Sequence, residues 1–231
     1  MRRSTALAIL AALAGCGRRS SPAPRSPAAP GRAVRIIALG DSLAFGTGAS
    51  APRNAFVFQA FLRVLAQHPR SRLDTYAIGG STAADVLRLQ APRLAHARAD
   101  IVVICVGGND VVHRVAATDF ARTYAQLVER VRALQPRAAI VCCGVPDVGL
   151  SPMFTGTDHD AVTRLSGAND AAIRATARRA GAEFVDLYAT TLRQHADVNR
   201  FLSEDRFHPS DAGHAQLAAA LAPALLRAAS R

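Results

Sequence analysis

Five short apolar runs, rich in β-branched residues, recur along the chain: residues 34–39, 73–78, 100–106, 138–143 and 182–188. Each of the first four is followed directly by glycine. An apolar run bounded by a turn signal is typical of a strand that is buried on both faces of a parallel sheet. Helical patterns separate the runs. The alternation predicts an α/β fold, a three-layer α/β/α sandwich with a five-stranded parallel sheet, over residues 33–231.

Polar residues precede the helical patterns at four expected N-caps: Asn54, Thr82, Thr118 and Ser210. Asp85 follows Thr82 by three residues, which is the spacing of a capping box. A chain in which these local signals agree with the strand pattern is expected to form one folded domain.

Two longer helices are predicted over residues 160–180 and 210–229, and Gly181 is expected to end the first of them. Pro92 and Pro223 lie inside helical patterns. Because proline lacks an N–H and its ring clashes with the preceding turn, we expect kinks or breaks at both.

The N-terminal segment has the layout of a secretory signal. Arg2 and Arg3 precede an apolar stretch over residues 5–15, which is too short to span a membrane. We therefore interpret residues 1–15 as a signal peptide. The sequence Leu-Ala-Gly-Cys that ends at Cys16 resembles the lipobox of bacterial lipoproteins, and this resemblance implies that Cys16 is acylated.

Residues 16–32 are rich in proline, serine, alanine and arginine, a composition that predicts an extended tether without a core of its own. A lipid on Cys16 would hold the domain at a membrane of the cell envelope. By the same resemblance to lipoproteins, Gly17 is not the aspartate linked to inner-membrane retention, which favours the periplasmic face of the outer membrane in a Gram-negative cell. The alternative is plain secretion with Cys16 as a bystander.

The basic charge does not indicate a nucleic-acid partner. The formal net charge is +11, but the first 32 residues hold six arginines and no acidic residue, which leaves +5 on the remainder. No basic run with interleaved aromatic residues is present, so we expect no nucleic-acid binding. The histidines lack the spacing of metal ligands, so neither a metal nor another cofactor is expected.

Candidate catalytic residues lie at both ends of the domain. Ser42 follows the first predicted strand, at a corner that would present its hydroxyl outward. A hydroxyl needs a base that takes its proton, and the base needs a group that orients it. The three-residue spacing of Asp205 and His208 lets the carboxylate reach the imidazole. Taken alone, Ser42 could belong to an ordinary turn, and Asp205 and His208 could be two surface residues that happen to be close.

Donors for a developing oxyanion follow the second and third predicted strands. Gly80 has no side chain to block its N–H, and Asn109 carries an amide that cannot ionise. Either residue alone is equally typical of a turn. We expect Asp110 to fix the loop without acting on substrate.

Four stretches together resemble the SGNH/GDSL hydrolase family: IIALGDSLAFGTG, IGGSTAADV, VVICVGGNDVV and SEDRFHPSDAGH. The resemblance covers residues 34–230 and implies a flavodoxin-like fold. By similarity, Ser42 is the nucleophile, His208 the general base and acid, and Asp205 its orienting partner. By the same resemblance, the N–H groups of Ser42 and Gly80 and the Asn109 amide are expected to form the oxyanion hole. Thr75 stands where the family often carries asparagine.

The resulting hypothesis is a serine esterase that cleaves carboxylic ester or thioester bonds through an acyl-enzyme. The expected partner is a small-molecule ester, a lipid or an acylated glycan. Two alternatives remain at this point: an acyl or acetyl transferase acting on an envelope glycan or lipid, and a non-catalytic envelope-binding lipoprotein. Residues 149–160 are expected to form a lid-like loop over the site.

Other reactive residues have simpler explanations. Asp211 and His214 repeat the spacing of Asp205 and His208, but they fall within the predicted last helix. We expect His214 to pack against the sheet edge or to bond locally, and His113 to be a solvent-facing loop residue. Three cysteines lie in predicted strands and behave there as small apolar residues: Cys105, Cys142 and Cys143. A disulfide from Cys105 to either of the other two remains open.

Overall fold

A computed structural model describes residues 31–193 and 197–231. The predicted signal peptide, Cys16 and the tether up to residue 30 lie outside the described residues. At the start of the described part, the N–H of Gly31 donates to the carbonyl oxygen of Gln67, and Arg32 forms an ion pair with Asp100. The folded body thus already includes residues 31 and 32, which the sequence analysis assigns to the tether.

The five predicted strands form one parallel sheet. They are β1 (Arg35–Gly40), β2 (Arg72–Thr75), β3 (Ile101–Cys105), β4 (Ala139–Cys143) and β5 (Glu183–Val185). Their order across the sheet is β2-β1-β3-β4-β5, which is the flavodoxin-like order. This confirms the predicted fold class.

Helices connect the strands: α1 (Ser42–Phe45), α2 (Phe56–Gln67), α3 (Ala83–Asp85), α4 (Gly108–Val112), α5 (Ala117–Leu134), α6 (Gly156–Arg179), α7 (Leu187–Leu192), α8 (Val198–Phe201) and α9 (Asp211–Ala229). The chain after α3 continues as a π turn (Val86–Gln90) and a 3₁₀ turn (Ala91–His96), and shorter 3₁₀ turns cover Pro52–Asn54 and Val148–Leu150. Helices α2 and α9 cover one face of the sheet, while α5, α6 and the segment after β2 cover the other. The result is three layers with an apolar core on each side of the sheet.

Several predicted helix boundaries are confirmed. Thr82 and Asp85 form the capping box, Ser210 caps α9 through the N–H of Gly213, and Gly181 follows α6 with a φ of +60°. At Pro92 the helical pattern gives way to a 3₁₀ turn, as expected. Helix α9, in contrast, continues through Pro223 without the break expected there.

Other expected boundaries are wrong. Ala55 and Ala116, not Asn54 and Thr118, precede α2 and α5. Asn54 instead bonds to Asp211 across the fold. The predicted loop 149–160 is shorter than expected, because α6 begins at residue 156.

The described part of the chain shows three buried free thiols, those of Cys105, Cys142 and Cys143. In the same ranges no helix is long and apolar enough to cross a membrane.

Candidate active site

The carboxyl end of β1 presents Ser42. Asp41 accepts a hydrogen bond from the N–H of Leu43 at 2.9 Å and thereby caps α1, of which Ser42 is the first residue. An N–H in the first turn of a helix has no partner within the helix. The local fold therefore leaves both the hydroxyl and the N–H of Ser42 available at the end of the sheet.

Gly40 is required for this corner. Its φ is +151°, and a Cβ at this position would lie 1.9 Å from the carbonyl oxygen of Cys105 in the neighbouring strand β3. The N–H of Asp41 donates to that same oxygen at 3.2 Å. Close approach of the two strand ends, possible only without a side chain, sets the position of Ser42.

The structure brings Ser42, His208 and Asp205 together, although Ser42 and His208 are separated by 166 residues in sequence. His208 Nε2 lies 2.9 Å from Ser42 Oγ, and His208 Nδ1 lies 2.6 Å from Asp205 Oδ2. With a proton on Nδ1 donated to the carboxylate, Nε2 is the acceptor for the serine hydroxyl. This is the geometry of a nucleophile, a base and an orienting group.

The second carboxylate oxygen of Asp205 is held by the chain around it. It accepts hydrogen bonds from the Ser203 hydroxyl at 2.8 Å and from the N–H groups of Phe207 and His208 at 2.9 Å. Partial burial alone would raise the pKa of Asp205, but the bonds from His208 and the two N–H groups outweigh it, and the pKa falls well below its usual value. The group is therefore a carboxylate at neutral pH.

Ser203 is a site residue that the sequence analysis missed. Besides its hydroxyl bond to Asp205, its N–H donates to the carbonyl oxygen of His208 at 2.8 Å, which closes the loop. Arg206 adopts a left-handed φ of +59° within this loop. No sequence signal marked this role of Ser203; the turn signal in this loop belongs to Asp205, whose carboxylate accepts from the N–H of the residue two positions on.

The loops after β2 and β3 bring the expected oxyanion donors to the same edge. Gly80 has a φ of +79°, and a Cβ there would meet no atom within 4 Å, so the space on the side-chain side of this residue is open. Asn109 lies in the first turn of α4 and not in a loop. One of its amide hydrogens is donated to the carbonyl oxygen of Ser81 at 3.0 Å. The other hydrogen of this amide does not take part in the bond to Ser81.

Two buried carboxyl groups support these loops. Asp110 accepts from the N–H of Ala83, which confirms that it fixes the loop, and burial raises its pKa. Burial also raises the pKa of Asp41 to about 6, partly opposed by bonds from the N–H groups of Leu43 and Gly107. Both groups belong to the framework around the site.

The second Asp–His pair has a structural role. His214 is fully buried, with Nε2 3.0 Å from the carbonyl oxygen of Thr47 and Nδ1 3.3 Å from the nitrogen of Phe56. Its bonds reach across the fold instead of locally. Asp211 binds Ser50 and Asn54. The pair attaches the start of α9 to the loop that follows the nucleophile, and His113 is solvent-exposed as expected.

A pocket of about 90 Å³ opens beside Ser42, Asn109 and His208. Phe207 borders it and packs edge-on against the His208 ring, with a centroid distance of 5.0 Å. Within residues 31–193 and 197–231 there is no cluster of three or more His, Cys, Asp or Glu side chains that could hold a metal ion.

Several solved structures share this fold, and some of them are described as esterases. TesA has a TM-score of 0.68 at 22% identity, over 84% of this chain and 99% of its own. An acetyl xylan esterase variant from Geobacillus stearothermophilus gives 0.66 at 21%, over 87% and 96%. Esterase EstA from Pseudoalteromonas sp. gives 0.67 at 16%, over 86% and 100%. No curated protein sequence matches the chain.

The fold and the site define an ester-hydrolysing enzyme of the α/β class. Residues 38–216, most of the chain, match the GDSL-like lipase/acylhydrolase family. The chain belongs to that family, as the four motifs indicated.

Proposed function

We propose that this enzyme hydrolyses carboxylic esters or thioesters through an acyl-enzyme on Ser42. The observation that carries the proposal is the continuous hydrogen-bond chain from Ser42 Oγ through His208 to Asp205, with distances of 2.9 and 2.6 Å. A serine hydroxyl becomes a useful nucleophile only with an oriented base beside it.

In the first step Ser42 Oγ attacks the carbonyl carbon while His208 Nε2 takes the hydroxyl proton. The N–H groups of Ser42 and Gly80 and the free amide hydrogen of Asn109 bind the oxyanion of the tetrahedral intermediate. Preorganised donors of this kind contribute about 10²- to 10³-fold each. The intermediate collapses when His208 returns the proton to the leaving alcohol or thiol, which departs.

In the second step a water molecule attacks the acyl-enzyme, and His208 takes a proton from that water. Collapse of the second tetrahedral intermediate releases the carboxylic acid and returns the proton to Ser42. Asp205 stays ionised throughout and stabilises the imidazolium. Apart from the ester and water, the two steps use only side chains and N–H groups of the chain.

A fluorophosphonate probe tests the proposal. The purified protein is compared with Ser42→Ala and with Ser230→Ala, a control at the far end of α9 whose hydroxyl bonds to the carbonyl oxygen of Leu226. We expect labelling and p-nitrophenyl ester hydrolysis in the wild type and Ser230→Ala, and neither in Ser42→Ala. If correctly folded wild-type protein does not react with the probe, the proposed catalytic role of Ser42 is wrong.

The acyl acceptor is tested in the same assay. Hydrolysis gives free acid, whereas a transferase would pass the acyl group to an added alcohol or sugar in preference to water. We expect the free acid as the main product, because the pocket beside Ser42 opens to solvent at its mouth.

We also propose that the enzyme is anchored in the cell envelope by a lipid on Cys16. The proposal rests on the Leu-Ala-Gly-Cys sequence after the apolar segment and on the composition of residues 17–30. Cells grown with a labelled fatty acid should incorporate label into the wild-type protein and into Ser42→Ala, but not into Cys16→Ser. Equal labelling of Cys16→Ser would disprove the anchor.

A further inference from the structure

The pocket beside Ser42 extends inward, away from the mouth of the site. Its floor is formed by buried side chains at the ends of β3 and β4 and on α9: Cys105, Val145 and Leu217, each at most 2% exposed. Its outer wall is formed by α8 and the residue after it, through Val198, Phe201 and Leu202. Elements that meet only in the tertiary structure thus enclose one apolar space.

Three polar residues that border this space already form hydrogen bonds within the protein. The Thr191 hydroxyl donates to main-chain carbonyls of α7 and accepts from the N–H of Asp147. The Ser151 hydroxyl donates to the carbonyl oxygen of Arg206, and Asp147 Oδ1 accepts from the N–H of Gly149. A group that enters the pocket therefore meets mainly apolar surface, which suits an alkyl chain and not a sugar ring with its hydroxyls.

The size of the pocket limits that chain. Its volume is about 90 Å³, and an apolar cavity of about 150 Å³ holds one benzene molecule, which has six carbons. By proportion, the space suits an alkyl group of about four carbons at most.

The position of the pocket indicates which half of an ester enters it. Ser42 and Asn109, which the proposed mechanism places around the reacting carbonyl, both line it. The acyl group is the half of the ester that stays bonded to Ser42 Oγ in the acyl-enzyme, and this bond holds it beside the pocket.

We propose that this pocket is the acyl-binding subsite and that it selects short acyl groups, from acetyl to about butyryl. The inference rests on the proposed function, because it assumes an ester carbonyl at Ser42. Long-chain lipid esters are excluded from the inner pocket by the buried floor at Leu217.

Two substitutions change the pocket in opposite directions without touching the triad. Val198→Trp should fill it, and Phe201→Ala should enlarge it. Leu192→Trp is the matched control, since Leu192 is 44% exposed on α7 and does not border the pocket. Each variant is assayed on p-nitrophenyl esters of increasing acyl length and on acetate esters of increasing alcohol length. Fluorophosphonate labelling and thermal unfolding report whether each variant is folded and active.

We expect wild-type kcat/KM to fall at least tenfold beyond the butyryl ester, since one methylene in an apolar pocket changes discrimination by about 10- to 200-fold. Val198→Trp should reduce the butyryl-to-acetyl ratio about tenfold, and Phe201→Ala should move the optimum to longer acyl groups. The control should keep the wild-type ratio.

Failure of the inference and failure of the proposed function give different results. Labelled variants with an unchanged acyl-length profile, or with a changed alcohol-length profile instead, would overturn the subsite assignment alone. Wild type that neither labels nor hydrolyses any ester would overturn both.

Discussion

The carboxylate of Asp110 accepts a hydrogen bond from the N–H of Ala83, with 3.0 Å between Oδ2 and the nitrogen. Ala83 opens the helix three residues after Gly80, and Asp110 directly follows Asn109. This one bond therefore joins the two loops that carry the proposed oxyanion donors. Asn109 adds a second link through its bond to the Ser81 carbonyl oxygen.

Loss of that link should reduce turnover more than substrate binding. Asp110→Ala leaves the N–H of Ala83 without its buried partner, a change that costs about 1–3 kcal/mol. We expect kcat to fall about tenfold or more with a smaller change in KM. Asp110→Asn keeps an acceptor oxygen and should retain most of the activity. Steady-state kinetics on one ester decides between these outcomes, and wild-type kcat in Asp110→Ala would contradict the positioning role.

Asp205→Asn should remove most of the activity while leaving the fold intact. The amide cannot hold Nδ1–H of His208 as a carboxylate does, and an orienting aspartate contributes about 10⁴-fold in a known triad. We expect a loss of kcat of roughly 10²- to 10⁴-fold. Asp211→Asn is the matched control, because Asp211 has the same spacing from His214. Similar losses in both variants would argue against the assignment of Asp205.

His214 should make stability sensitive to acid. Burial lowers its pKa from the ordinary value of 6.5, so the folded state binds fewer protons than the unfolded state. The stabilising contribution is complete above about pH 6.5 and is lost as the pH falls below it, by at most about 1.4 kcal/mol per pH unit. His214→Gln removes the titration. The free energy of unfolding, measured with urea between pH 5 and 8, should decrease more steeply with falling pH in the wild type than in His214→Gln. Equal pH dependence in the two proteins would contradict this role of His214.

Asp41 should change the pH dependence of stability in the opposite direction to His214. Its folded pKa of about 6 lies above the ordinary value of 3.8. The folded state therefore binds more protons, and stability decreases as the pH rises from about 4 to about 6 before it levels off. Asp41→Asn keeps an acceptor for the N–H of Leu43 without the charge. We expect this variant to lack the decrease, as measured by urea unfolding across that range. If the stability of Asp41→Asn decreases as much as that of the wild type over this pH range, another titratable group is responsible.

Two glycines at the site should respond differently to alanine. A Cβ on Gly40 would lie 1.9 Å from the Cys105 carbonyl oxygen, whereas a Cβ on Gly80 would meet nothing within 4 Å. Gly40→Ala must displace a strand end and should lower the melting temperature severely or prevent folding. Gly80→Ala carries only the strain of a positive φ, about 1–2 kcal/mol. Comparable melting temperatures for the two variants would contradict the packing argument.

Much of the architecture was predictable because residues close together in the sequence determine it. The five strands were visible as apolar runs, and β1, β3 and β4 show the largely buried pattern that a sheet covered on both faces requires. The edge strands β2 and β5 are partly exposed, so the expectation of full burial was wrong for them. The capping box at Thr82 and the cap at Ser210 involve residues three apart, so neighbours in sequence determine them. The caps expected at Asn54 and Thr118 were wrong, because Asn54 binds a partner 157 residues away.

By itself the sequence determined the order of strands and helices, the family motifs and the identity of Ser42, Asp205 and His208. Only the tertiary structure decided that Ser42 meets His208 at 2.9 Å, that Ser203 holds Asp205, and that α8 and α9 enclose the pocket. The reason is physical. Periodicity and capping depend on neighbours along the chain, whereas these contacts depend on which strand ends the folded sheet brings to one edge.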